Sequence, residues 1–139
     1  MIKNIAVVLL SLCTIFSCET KKEYTIDKTI LRSFGAKHRD GYIDRIKLHK
    51  EEIAKDSTHV SDYVSITESN IIMFAFGFMS REQTIPEAKV FQEKAYAMDS
   101  LNSRVQEMAG ILHFMDSEWE ASEKAFKKSL ELNPENLQA

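Results

Sequence analysis

The side chains best able to do chemistry in this chain are four histidines, His38, His49, His59 and His113, two cysteines, and a scatter of paired carboxylates. A metal centre needs clustered ligands, such as two histidines one helical turn apart with a third donor nearby. The closest pairing is His49 with Glu51 and Glu52, and Tyr42, Asp44, His49 and Glu52 read together as the wet side of a helix. The carboxylate pairs Glu51–Glu52, Glu118–Glu120 and Glu131–Glu135 lie in polar surroundings. Acid–base catalysis would need an apolar setting that separates their pKa values. The sequence has no GxSxG, P-loop or GxGxxG motif, and its serines fall mainly in turns and caps. These residues predict no catalytic group, no metal and no cofactor. A metal-dependent enzyme using His49 and Glu52 is the remotest reading.

Both cysteines lie near the start. Lys3 gives a short positive beginning, and Ile5 to Phe16 (IAVVLLSLCTIF) is an uncharged apolar run. A bilayer span needs about 20 apolar residues, so this run fits a secretory signal instead. Ile15-Phe16-Ser17-Cys18 resembles the lipobox of bacterial lipoproteins, with Phe16 bulkier than usual. The resemblance implies cleavage before Cys18 and lipid attachment, palmitate included, at Cys18. An uncleaved anchor and an ordinary secretory signal are the alternatives. Residues 1–17 are expected to be the signal peptide, 18–24 a lipidated tether and 25–139 the folded domain. Cleavage would remove one charge, Lys3, and leave no thiol but Cys18. The expected location is a bacterial envelope membrane, inner or outer. Lys+Arg 18 against Asp+Glu 21 gives net −3, which argues against nucleic-acid binding by phosphate neutralisation.

The domain reads as all-α. Four glycines and two prolines are too few for a sandwich or barrel, and apolar residues recur at helical spacing from Thr25 onward. Ile26, Ile30, Leu31 and Phe34 mark a first helix, which Arg39-Asp40-Gly41 is expected to end. A second helix runs from about Tyr42 to Lys55, and a third, unusually apolar near its end, from about Val60 to Ser80. Thr84, Pro86 and Glu87 form a capping box for the fourth, and Ser103 to Met115 is the fifth. Ser117 and Glu120 form another capping box, opening a sixth helix that ends before Asn133-Pro134.

The last two hairpins show a 34-residue period: Asp99-Ser100 matches Asn133-Pro134, Ala75 matches Ala109, and Ala88 and Ala95 match Ser122 and Ser129. Ala54-Lys55-Asp56-Ser57 matches Ala97-Met98-Asp99-Ser100 at an offset of 43, so nine extra residues must lengthen the third helix or its entry loop. The pattern resembles the tetratricopeptide repeat, most clearly in Ala109-Gly110, Trp119, Ser122, Phe126, Ser129 and the closing Leu130-Glu131-Leu132-Asn133-Pro134. It implies three stacked antiparallel helix hairpins in a right-handed superhelix, with the clearest repeats at 69–102 and 103–136. Small residues would let paired helices approach closely, while Phe74, Phe78, Phe91, Trp119 and Phe126 fill the space between layers. A generic six-helix bundle is the alternative.

The resemblance also implies a concave groove lined by the first helix of each hairpin. It places Met73, Phe74 and Gly77, flanked by Asn70 and Arg81, beside Met108, Ile111 and Met115, flanked by Arg104 and Glu107. Such a surface would be methionine-rich and adaptable. The same side chains could equally be core. The function expected is a non-enzymatic protein–protein interaction module at a bacterial membrane, its partner an envelope protein or peptide. The alternative is a small hydrophobic ligand binder with a pocket lined by Phe74, Phe76 and Phe78.

Overall fold

The computed structural model describes the backbone of residues 28–135 and the side chains of residues 35–135. The residues expected to form the signal and the tether, Cys18 included, lie outside the described residues, as do the side chains of Ile26, Ile30, Leu31 and Phe34. The described residues form five α-helices and no strand: α1 Lys28–Lys55, α2 Val60–Ala75, α3 Arg81–Met98, α4 Ser103–Met115 and α5 Trp119–Leu132. The expected all-α architecture is therefore present. Helix α1 packs on α2, α2 on α3 and α4 on α5, and α4 also touches both α2 and α3. This pairing is compatible with tetratricopeptide-like stacking.

The first correction concerns α1. The expected stop at Arg39-Asp40-Gly41 does not occur, and the two helices read there are one of 28 residues, about 42 Å long. Glycine inside a helix costs only about 1 kcal/mol relative to alanine, and packing on both sides of Gly41 outweighs it. Ile46 is buried with Ile66 and Met73, with Tyr42 and Ile53 against them. On the other side, a β-carbon on Gly35 would lie 3.9 Å from the Phe78 ring. Leu48 and Ala54, though apolar, are exposed.

Helix α2 is buried against α1 on one side and α3 on the other. It stops at Ala75, before the expected Ser80, because Gly77 adopts a left-handed φ of 68°. Phe78 N–H donates to Met73 O at 2.9 Å and Gly77 N–H to Phe74 O at 2.9 Å, the paired bonds of a Schellman helix end. Helix α4 ends the same way with a serine in the glycine position. Ser117 has φ 62°, Glu118 N–H donates to His113 O at 2.9 Å, and Ser117 N–H donates to Phe114 O at 3.0 Å. Ser117 therefore closes α4 rather than capping α5, whose N-cap is Glu118 without a side-chain cap bond.

Helix α3 begins a turn earlier than expected. Ser80 is its N-cap, and Gln83 Oε1 accepts from Ser80 N–H at 3.0 Å. Thr84, expected as the cap, is buried and donates to Ser80 O at 3.1 Å. Pro86 falls inside the helix. At the start of α4, Asn102 Oδ1 accepts from Arg104 N–H at 3.0 Å and Val105 N–H at 3.4 Å.

The small residues sit where paired helices meet. Ala88, Ala95, Ser122 and Ser129 are all buried. Ser122 Oγ donates to Gly110 O at 2.9 Å and Ser129 Oγ to Ser103 O at 2.8 Å, joining α5 to α4. In the preceding hairpin Thr67 Oγ reaches Ala88 O at 3.4 Å. Ala88 and Ser122 are 34 apart, but their partners Thr67 and Gly110 are 43 apart. Val60 and Ser103, which open α2 and α4, are also 43 apart, whereas Met98 and Leu132, which close α3 and α5, are 34 apart. The nine extra residues therefore sit at the α2–α3 tip, as three in α2, two in the turn and four in α3. The match of Ala75 with Ala109 is out of register. The earlier hairpin begins at Val60, not residue 69, and overhangs to meet the extended half of α1.

Candidate functional site

The shift of nine residues redraws the expected groove. Met73 is 2% exposed and packs beneath α1 with Ile46 and Ile66. Met108 is 2% exposed and belongs to a second buried cluster with Val64, Ile71, Val105 and Leu112. Neither methionine lines a surface, which corrects the methionine-rich groove. Asn70 is also interior, donating to Ile66 O and Glu87 Oε2 at 3.1 Å each. Gly77 lies on the exposed tip as a helix terminator. Phe74, Ile111 and Met115 are half-buried against the cluster that holds Met108.

Counted in the observed register, the α2 positions equivalent to Arg104, Met108, Ile111 and Met115 are Ser61, Ser65, Glu68 and Ile72. Ser61 is exposed and the other three are half-buried. They follow one another at intervals of three and four, so they form a single face of α2 beside α4.

An ionic network crosses the middle of this face. Glu68 bonds Arg104 of α4 at 2.7 Å and Arg45 of α1 at 3.3 Å through its two oxygens. Arg104 also holds Glu107 at 2.7 Å, and Glu107 is fully buried. Desolvation works against the Arg104 charge, but the Glu107 and Glu68 carboxylates raise its pKa above the ordinary value. Two arginines and two glutamates thus leave the centre balanced, with Ile72, Ile111 and Met115 as its apolar border. Such a face suits an amphipathic segment that brings both hydrogen-bonding and apolar groups.

At the far end of α4, Asp116 binds Arg81 and Lys89 of α3 at 2.5 Å each. The Lys89 hydrogen bond, followed by both positive charges, holds the Asp116 carboxyl below its usual pKa. Arg81 also lies 5.7 Å over the Phe74 ring, so it locks the two hairpins together instead of lining a groove.

Three of the four histidines take carboxylate partners. His49 Nδ1 is 2.8 Å from Asp62 Oδ1, while Glu52 pairs with Lys55, so the His49–Glu52 pairing is not formed. His59 lies within reach of Asp56 and Asp62, and His113 pairs with Glu118. Among the described residues no three His, Cys, Asp or Glu side chains come together to hold a metal ion.

The expected aromatic pocket also dissolves. Phe76 stacks on Phe78 at 6.0 Å beside His38 and Tyr42, while Phe74 faces the α4 side. A larger open trough of about 840 Å³ runs between the end of α3, at Tyr96 and Leu101, and the outer row of α5, at Lys124, Lys127 and Lys128. Trp119, expected to fill space between layers, is 59% exposed and meets Phe114 edge-on at 5.3 Å. No described helix is long and apolar enough to cross a membrane. Compared with family models, curated proteins and solved structures, the chain matches none.

Proposed function

We propose that this chain is a non-enzymatic protein-binding module, held at a bacterial membrane surface by a lipid on Cys18 and built from tetratricopeptide-like hairpins. Its partner is a segment of an envelope protein lying along the face of α2 and α4. The observation that supports this reading is the row Ser65, Glu68, Ile72, Arg104, Ile111 and Met115, half-buried side chains on two adjacent helices. Interface centres typically combine arginine with apolar anchors in this way.

A photoreactive residue at position 72, introduced in the native host, tests it. Val90, exposed on α3, serves as the control position. Crosslinking of one envelope protein from position 72 and not from position 90 is expected. Equal adducts at both positions, or none at position 72, would remove this face from consideration.

A further inference from the structure

Both hairpin tips lie at the same end of the stack. Asp116, just past α4, binds Arg81 at the start of α3, so the α4–α5 tip stands beside the α2–α3 tip. The amino-terminal half of α1 reaches the same end, because Gly35 faces Phe78, and His38 and Tyr42 flank Phe76. The chain carrying Cys18 therefore enters the fold at the end where the tips project.

The same end displays large apolar rings to solvent. Phe76 is 71% exposed, Phe114 57% and Trp119 59%. Aromatic rings favour the headgroup level of a bilayer. The charges at this end are mixed, with Arg39 paired to Asp40, Arg81 and Lys89 to Asp116, and His113 to Glu118, so attraction to anionic lipid is not the main force.

We propose that this aromatic end seats on the lipid surface that receives the anchor, fixing the orientation of the domain. The inference rests on the lipoprotein reading of Cys18. Nine residues, 19–27, separate Cys18 from the start of α1, and nine residues reach at most about 30 Å. Helix α1 runs on past Gly35 by about 10 Å, so the stack is seated obliquely, with the α4–α5 tip tilted toward the lipid. The α2–α4 face then stands to the side, open to a neighbouring protein.

Trp119 is the sole tryptophan, so its fluorescence reports on this end alone. The full chain, expressed and processed in a bacterial host, would be reconstituted in phosphatidylcholine vesicles brominated on the acyl chains. We expect the protein to float with the vesicles, with Trp119 emission blue-shifted and quenched, and unchanged by 0.5 M salt on the order of a 4–5 Å Debye length. A Phe76→Ser, Phe114→Ser double variant should still float but lose most of the quenching. Flotation with unquenched, unshifted Trp119 would overturn the docking while leaving the anchor intact. Failure of the full chain to float would overturn the anchor reading and this inference with it.

Discussion

Gly110 and Phe126 are in register across the α4–α5 hairpin so closely that a β-carbon on Gly110 would stand 2.8 Å from the Phe126 ring. That separation is shorter than van der Waals contact, so the missing side chain sets how near the two helices come. Ser122, one turn before Phe126, uses the same approach to bond the Gly110 carbonyl.

Gly110→Ala should therefore destabilise the protein by about 1–3 kcal/mol, the usual cost of overpacking. Gly41→Ala should do the reverse, gaining about 0.5–1 kcal/mol from helix propensity, because Gly41 has open space around it within α1. Urea denaturation of the two variants checks the contrast. Equal responses would contradict the hairpin spacing.

Ser117 and Gly77 occupy the same left-handed position in two helix ends. Relieving the serine by Ser117→Gly should stabilise by about 0.5–1 kcal/mol, and Gly77→Ala should cost about 1–2 kcal/mol. Thermal melting reads both. A loss of stability in Ser117→Gly would show that its hydroxyl matters more than its backbone.

Asp116 gives a pH signature. Its folded pKa lies below the ordinary 3.8 because Lys89 and Arg81 bind the carboxylate. Its contribution is present above the unfolded value and is lost as pH falls through the folded one. Asp116→Asn should lower stability at pH 7 by up to about 1 kcal/mol, since the cluster is partly solvated. The gap between variant and parent should close toward pH 2. A gap that stays constant with pH would assign the effect to packing.

The proposed function puts the anchor on Cys18. Cys18→Ala should leave the signal uncleaved or release the protein from the membrane fraction, since each buried lipid methylene adds about 0.8 kcal/mol of binding. Intact mass and membrane fractionation together read the outcome. Unchanged mass with unchanged retention would contradict lipidation.

Much of the helical layout was legible because it is local. The start of the fifth expected helix at Ser103, the stop before Asn133 and the small residues Ala88, Ala95, Ser122 and Ser129 all stand where their types suggest. Three features were not. Asp40-Gly41 has the composition of a turn, yet the overhanging α2–α3 tip packs along α1 and keeps it helical. Thr84, Pro86 and Glu87 imitate a helix start, but Ser80 and Gln83 cap one turn earlier. The 34-residue period holds for the second helix of each hairpin and fails for the first, because the insertion is divided among two helices and the turn between them. That failure moved the expected groove nine residues along the chain, from Ser61, Ser65, Glu68 and Ile72 to Asn70, Phe74, Gly77 and Arg81. Gly77 was the available signal: a lone glycine at the end of an apolar helical run marks a helix stop.

The proposed protein-binding face is tested most directly by Ile72→Asp, with binding of any envelope protein captured at position 72 measured beside the melting temperature. Ile72 is half-buried at the border of the Glu68–Arg104 network and belongs to neither core cluster. Affinity for the partner should fall by about a hundredfold or more, as for a truncated hot spot of about 3 kcal/mol, while the melting temperature stays within about 3 °C of the parent. Full affinity in a folded Ile72→Asp variant would contradict the assignment of this face.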